Sequence, residues 1–539
     1  MDAPRIGGTR TALRRFFGGI ALSALKPEPK PVGRLPLPPV LRVPLLQHAG
    51  SECEPCVAVG ERVARLQRIG RVPSDALGAP VHAPAAGTVI ALERGCVALP
   101  GLPEALHVVI ELDAGEIAAW RDGAAWSVDE EAHRLSPLDP ASAEIDALRQ
   151  RIAEAGVVGL GGAGFPSADK LAVARRLLIL NGAECEPVVA CDEALLRERA
   201  ADVLDGGRLL ARLCGATRIV LAMEQRMTSA LPAVRAALDA DAMAHGNAAI
   251  ELVLLPDRYP AGGERQLIQA ITGEEVPDGG LPRDIGVLVH NVGTAVAALR
   301  AVRDGVPLVS RFVTVGGDGV DAAATFEVLL GTPVSALGEA VGGWREDATT
   351  LRAGGPMMGV PLPDDDVAIG KTTIALTAWR GTLVSRSGRS KTIATTTTLP
   401  CIRCGDCATA CPSRLQPQLL HARLEAGDAA GAAALGLGAC IECGACDAVC
   451  PSAIALTAGF ITARHTMRAA AHQRQQADAA RLRFERRIER LQRDADEAAQ
   501  AQAKRVTRLS GAAAAALAKA RAKREGANAD ARDPGDTTP

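Results

Sequence analysis

From Cys401 the chain reads CIRCGDCATACP, and from Cys440 it reads CIECGACDAVCP. Each stretch has the spacing C-x2-C-x2-C-x3-C-P, the run that holds cubane iron–sulfur clusters in pairs. Three closely spaced thiolates take three corners of one cubane. The fourth, stiffened by the following proline, points away and ligates the other cluster. The spacing therefore predicts one [4Fe–4S] cluster on Cys401, Cys404, Cys407 and Cys450, and a second on Cys440, Cys443, Cys446 and Cys411. A zinc site offers two separated Cys pairs without a third Cys at the next step or a Cys-Pro. A disulfide framework belongs to small secreted domains in oxidising surroundings. Two complete four-Cys runs point to single-electron transfer.

At 539 residues the chain should divide into several domains of ~150 residues. Apolar residues make up 48% and aromatics 2%, so Ala, Val and Leu must fill the cores. Sixty basic and 62 acidic residues give a net charge of −2, which offers nucleic acid no general attraction. The six Cys outside the runs (Cys53, Cys56, Cys96, Cys185, Cys191, Cys214) are scattered, as expected in a reducing compartment. No stretch supplies the ~18 apolar residues of a membrane span. Arg14-Arg15-Phe16-Phe17 followed by GGIALSAL imitates a twin-arginine export signal. Its apolar run is short, opens on two glycines and ends at Lys26 without a cleavage site, so no export is expected.

Residues 26–45 are Pro-rich and read as an extended strap. From about Leu46 to Asp113 short strand-like pieces alternate with Gly and Pro, the rhythm of a small β-barrel. VHAPAAGTV (81–89) resembles biotinyl- or lipoyl-type barrels but has Ala85-Ala86 where their attachment Lys stands, so a structural role is expected. His82 reads as packing, and Cys53-x-x-Cys56 as incidental.

Residues 141–155 form an amphipathic helical pattern with Ile145, Leu148, Ile152 and Ala155 on one side. GLGGAGFPSADK (159–170) follows and fits G-x-G-x-x-G, yet a helix precedes it where a dinucleotide fold needs a strand. Its glycines still let backbone N–H groups approach a phosphate or a flat ring, and Lys170 adds positive charge. A strand at Leu177 to Leu180 leads into NGAECEP (181–187), which sets Asn181 and two carboxylates where α/β sheets bind ligands. RIVLAM (218–223), IELVLLP (250–256) and GVLVHNVGT (286–294) supply further strands between helical patterns, and YPAGGERQLI (259–268) puts Gly-Gly-Glu before a helix. Residues 311–343 read as a small α+β unit, GGPMMG (354–359) as a loop, and the gap between the Cys runs as helical. Beyond Ile461 an Arg/Ala-rich helix carries a thin stripe of Phe484, Ile488 and Leu491, and disorder is expected after about Gly526.

GLGGAGFPSADK, LNGAECEP, YPAGGERQLI and HNVGT resemble the flavin- and NADH-binding subunit of respiratory complex I. With two cluster runs joined by helix, residues 14–500 are similar in unbroken order to the C-subunit of the Rnf (Rsx) electron-transport complex, whose start FFGGI (16–20) matches. The resemblance implies a multidomain α/β chain: a strap (1–35), a barrel-sandwich domain (36–115), an FMN/NADH-binding α/β domain (136–308), a β-grasp SLBB unit (309–380), a helical 2×[4Fe–4S] ferredoxin-type domain (392–462) and a helical tail (463–539). It implies that Gly161, Gly162, Gly164, Phe165 and Lys170 line FMN and the nicotinamide of NADH, that Asn181, Glu184 and Glu186 hold flavin or ribose, and that Gly263, Glu264, Asn291 and Thr294 close the pocket. The chain departs from complex I at Arg265 and Gly293, where acidic residues stand in that relative.

Function is likewise an expectation at this point. The resemblance implies a peripheral subunit of an ion-translocating complex on the cytoplasmic face of the inner membrane, oxidising NADH and passing electrons through FMN and both clusters to ferredoxin or to ferredoxin-like and integral-membrane partner subunits, or running in reverse, with no nucleic acid involved. A soluble flavin/iron–sulfur reductase of the cobalamin-reductase kind and a non-catalytic relay scaffold stand as alternatives. No Ser, His or Asp constellation points to nucleophilic or acid–base catalysis, and hydride transfer requires none.

Overall fold

The structure, a computed structural model, describes residues 16–122, 133–246, 249–380 and 398–529. It divides into two units, Met1–Ile461 and Thr462–Pro539. Arg14 and Arg15 of the export-like segment lie outside the described residues, as does the start of the expected cluster domain at residue 392.

The first unit is organised around a four-stranded parallel sheet of Leu177–Asn181, Arg218–Glu224, Glu251–Leu255 and Val287–Asn291. Its spatial order is third, second, first, fourth. The strands are near-continuous apolar runs because helices cover both faces. Leu178, Leu180, Leu221, Met223 and Leu288 pack under helices Ile145–Glu154, Cys191–Cys214, Leu231–His245 and Val292–Arg303. Leu177, Ile179, Val220, Ala222, Val253, Val287 and Val289 point the other way, toward helix Glu264–Thr272. Truncating any one of the fully buried leucines to Ala costs about 2–5 kcal/mol. Helices Cys191–Cys214 and Val292–Arg303 approach closely enough that a Cβ at Gly206 would lie 2.2 Å from the Ala295 carbonyl oxygen. Only glycine fits there.

Ahead of this domain, Val40–Pro44, Arg62–Val63, Gly87–Cys96 and Glu104–Leu112 form one antiparallel sheet, and Glu54–Pro55, Arg68–Arg71 and Val81–His82 a second. Leu41, Val43, Val63, Ile69, Val89, Val108 and Ile110 fill the space between them. His82 is buried and held neutral, its pKa lowered to about 3 by burial. Cys53 is buried beside the Ala79 carbonyl, while Cys56 is exposed.

The strap is extended, as its prolines predict, and part of it is strand. Gly33–Arg34 pairs in parallel with Ala324–Leu329 and becomes the edge of a six-stranded sheet that also contains Ser310–Gly316, Ala375–Trp379, Thr350–Ala353 and Val360–Pro361. Pro-rich chain can serve there because an edge leaves half its N–H groups unused. Helix Val334–Ala340 packs on this sheet through Val334 and Leu337. Lys371 joins three parts of the unit. Fully buried, its ammonium donates to the carbonyls of Pro80 (2.9 Å) in the barrel and Gly156 (2.8 Å) below the glycine loop.

The cluster region is built from short helices, Asp406–Ala410, Pro417–Glu425, Ala429–Ala434 and Ala445–Ala448, with helix between the runs as the spacing suggested. Helix Leu456–Ala529 supplies the second unit and continues past Gly526, where disorder was expected; residues 530–539 lie outside the described residues. Phe484, Ile488 and Leu491 are solvent-exposed on it.

Candidate functional site

In an open parallel sheet the ligand crevice forms where neighbouring strands lead off in opposite directions. Here that point lies between Leu177–Asn181 and Val287–Asn291, the first and fourth strands. Asn181 and Asn291 end these strands opposite one another in register. Residues 159–165 lie against the same point, since a Cβ on Gly161 would sit 2.8 Å from the Asn291 side chain. The sheet thus gathers three sequence segments at one crevice.

The glycine loop is pinched shut at its base. Gly159 N–H donates to the Phe165 carbonyl (2.9 Å), and Leu160 N–H donates to the Thr294 hydroxyl (2.9 Å). Thr294 is fully buried, so it latches the loop from beneath. Gly161 and Gly162 are exposed, and a Cβ on Gly162 would meet nothing within 4 Å. Their bare backbone is open to a flat ring or a phosphate. Two residues that the sequence reading passed over, His290 and Ser167, stand near Lys170. His290 Nε2 and Ser167 Oγ are buried without a hydrogen-bond partner among the described residues. Burial, then Lys170, lowers His290 to a pKa of about 3, so its ring is neutral. Buried polar atoms of this kind normally have partners, but both are closed to solvent, so it is the bare backbone of Gly161 and Gly162 that suits a flat cofactor such as FMN.

Other expected contact residues are occupied by the protein itself. Asn181 donates to the Gly262 carbonyl (2.9 Å) and accepts from Ala183 N–H (3.0 Å). Asn291 caps its helix through Gly293 N–H (2.8 Å) and donates to Asp192 (2.6 Å). Glu184 accepts from the Cys191 thiol and from the N–H groups of Asp192 and Glu193, and it pairs with Lys26 of the strap (3.3 Å). It caps the helix that starts at Cys191. Burial and the neighbouring Glu184 raise the pKa of Asp192. Glu186 accepts from the N–H groups of Met357 (2.9 Å) and Met358 (2.7 Å), and burial raises it to about 7. These side chains frame the crevice; Phe165 and Glu264 are the exposed ones, with Gly263 at the N-cap of Glu264's helix. Arg265, where complex I is acidic, donates to the carbonyls of Val276, Pro277 and Gly280 and secures that loop.

The eight cysteines of the two runs fall into two groups. Cys401, Cys404, Cys407 and Cys450 line one pocket, and Cys411, Cys440, Cys443 and Cys446 line another. Both runs bend in the same way, with Arg403 and Gly405 in the first and Glu442 and Gly444 in the second at positive φ. Non-glycine residues hold that conformation only where surroundings enforce it. Cys411 Sγ accepts from Leu415 N–H and Cys440 Sγ from Glu442 N–H (both 3.4 Å). All-thiol sets of four suit iron–sulfur clusters.

The two pockets differ in surroundings. Cys401 and Cys404 are exposed beside exposed Ile402 and Leu399. Cys443 is buried in a cluster with Cys185 and Tyr259 of the flavin-side domain, and with Ile20 and Leu22 of the strap. Sequence spacing could not show this, because it depends on which domain the second run packs against.

Comparisons with known proteins follow the same division. Family models match residues 14–115 as an RnfC barrel sandwich hybrid domain, 152–300 as a Nuo51 FMN-binding domain, 312–361 as an SLBB domain and 400–455 as a 4Fe-4S dicluster domain. The chain is 39% identical over 417 residues to the C-subunit of the ion-translocating oxidoreductase complex of Rhodobacter capsulatus, covering 75% of this chain and 73% of that one. It is 41% identical over 421 residues to the C-subunit of the same complex in Pseudomonas aeruginosa, covering 76% of this chain and half of that one. One chain of an NAD+-reducing [NiFe]-hydrogenase is similar over 50% of this chain and 57% of its own, at 25% identity and a TM-score of 0.39, too partial a likeness to argue from.

Proposed function

The chain belongs to the family formed by the C-subunits of ion-translocating oxidoreductase complexes, and from that premise we propose that it takes hydride from NADH at an FMN site and delivers single electrons to partner subunits of a membrane complex. When bound, FMN supplies the conversion of a hydride pair into single electrons. The chain's own residues supply placement. The backbone of Gly161 and Gly162 faces the ring, with Lys170 toward polar groups of the flavin. Asn181, Asn291, Thr294 and Glu184 hold that crevice in shape through the hydrogen bonds described above. Glu264 and Phe165 lie on the open side, where a nicotinamide dinucleotide would enter.

One observation carries the reading. Cys443 of the Cys411/Cys440/Cys443/Cys446 group is buried against Cys185 and Tyr259 of the flavin-side domain, whereas Cys401 and Cys404 of the other group reach solvent. An electron entering at the first set leaves at the second. Exposed Leu399 and Ile402 surround that exit and suit a protein acceptor such as ferredoxin or a ferredoxin-like partner. Among the described residues no helix is long and apolar enough to cross a membrane; attachment at the cytoplasmic face through partner subunits is part of the proposal.

The test is anaerobic. Protein loaded with iron, sulfide and FMN should lose flavin absorbance and then cluster absorbance on addition of NADH. Clusters that form and stay oxidised while the flavin fails to bleach would leave a relay without an NADH site. Full reduction without any affinity for membrane subunits would favour a soluble reductase.

A further inference from the structure

Tyr259 is the chain's one tyrosine, and it is buried. It stands on the loop that leads into Gly262, Gly263 and Glu264, and Gly262 is the acceptor for Asn181 at the strand end. Its hydroxyl lies 2.6 Å from the carbonyl oxygen of Cys443. A carbonyl can only accept, so the phenol donates. The same residue is clamped from behind: Ile20 and Tyr259 exchange backbone hydrogen bonds of 2.9 Å, while Gly19 N–H donates to the Ala410 carbonyl (2.8 Å). A Cβ on Gly18 would lie 2.5 Å from the Cys411 carbonyl oxygen, and the Arg414 guanidinium stacks 5.4 Å from the Phe17 ring. Arg258, beside Tyr259, donates to the carbonyls of Gly18 and Gly19. Residues 16–22 therefore form a wedge that touches both cysteine runs and the loop 258–263.

Resting on the ligand assignment above, we infer that Tyr259 is the positioning residue that locks the second cysteine run onto the flavin-side loop and, through its hydrogen bond to Cys443, sets the reduction potential of the flavin-side cluster. Hydrogen bonds around the ligands tune such clusters. A donor aimed at a ligand's carbonyl offsets negative charge in its neighbourhood and so favours the reduced, more negative state. Phe at this position keeps the ring and its packing but removes the donor. It leaves a buried carbonyl uncompensated.

The experiment is a redox titration, followed by electron paramagnetic resonance, of the full chain loaded with both clusters. In Tyr259→Phe the flavin-side cluster should become harder to reduce, by about tenfold in its equilibrium constant or ~59 mV for one electron, while the outer cluster stays unmoved. A second perturbation uses the single tyrosine: growth on 3-fluorotyrosine strengthens this one phenol as a donor and should move the same cluster the opposite way. If Tyr259→Phe does not fold, the fluorinated protein decides the matter by its sign. Unchanged potentials, or shifts of the same sign in both proteins, overturn the inference while leaving the ligand assignment intact. Wild-type protein that binds no second cluster overturns the assignment and this inference with it.

Discussion

The crevice at the sheet's switch point and the pair of thiol pockets are assembled by opposite means. The pockets draw all their cysteines from residues 401–450, and each run carries its own geometry in its spacing and its repeated left-handed residues. The crevice draws on segments from Lys26 to Thr294, which meet only because four strands adopt one particular order. Damage to the pockets should therefore be local and chemical. Damage to the crevice should spread through the framework, because most of its polar side chains bind protein.

Ligand loss is the sharpest break in that comparison. Cys446→Ser should halve the bound iron and stop electron delivery from NADH to any external acceptor, with FMN retained. Cys404→Ser should also remove one cluster, yet still allow the flavin-side cluster to be reduced by NADH. Iron analysis with spectra of the NADH-treated proteins checks both. Equal behaviour of the two variants would remove the order of electron entry and exit.

Glu184→Ala tests the framework. It strips the cap from the helix starting at Cys191 and leaves Lys26, largely buried, without a main partner. Removing one member of a buried pair costs about 3–5 kcal/mol. Chemical unfolding should show that loss, together with weakened FMN retention, while cluster spectra remain those of the wild type. A variant that loses NADH reduction with no loss of stability would return Glu184 to direct ligand contact, as the sequence resemblance implied.

The same contrast separates what was legible in the sequence from what was not. The cluster ligands could be proposed from the sequence because spacing is chemistry at short range, and the structure gathers the same eight cysteines into two groups of four. The parallel strands were readable because burial on both faces writes unbroken apolar runs such as LLIL and LVLL. Asn181, Glu184, Glu186 and Thr294 were expected to meet a ligand and instead bind protein groups, because a sequence does not say whether a polar side chain faces a ligand or the backbone behind it. His290 and Ser167 lie inside the motifs HNVGT and GLGGAGFPSADK, but that their polar atoms lack partners among the described residues shows only in three dimensions. The strap read only as an extended piece, because pairing of Gly33–Arg34 with a strand near residue 326 has no local trace.

Lys371 sharpens the comparison from the side of pH. Its folded pKa is lowered from 10.5 to about 8 by burial. Between those values the unfolded chain holds a proton that the folded chain has released, so stability rises with pH across this window. The rise amounts to ~3 kcal/mol at about 1.4 kcal/mol per unit. Unfolding followed from pH 7 to 10.5 should show it in the wild type, and Lys371→Met should flatten it. A rise that persists in the variant assigns the effect to another group.

Thr294→Val is the mildest of these changes and the most discriminating about how the glycine loop is held. Valine keeps the shape of the side chain but offers no acceptor to Leu160 N–H, at 2.9 Å in the wild type. A buried donor left without its partner costs about 1–3 kcal/mol. Part of that strain should be relieved by loosening residues 159–165, so FMN should dissociate a few-fold faster and stability should fall within the same range. Neither cluster should change, because no cluster ligand touches this latch. Stopped-flow release of FMN and unfolding of the same preparation separate the possibilities. Loss of flavin affinity by a hundredfold at unchanged stability means that the hydroxyl meets the cofactor itself. A small, matched loss of both means that topology, through a buried threonine just past a helix cap, keeps the glycines where a ring can reach them.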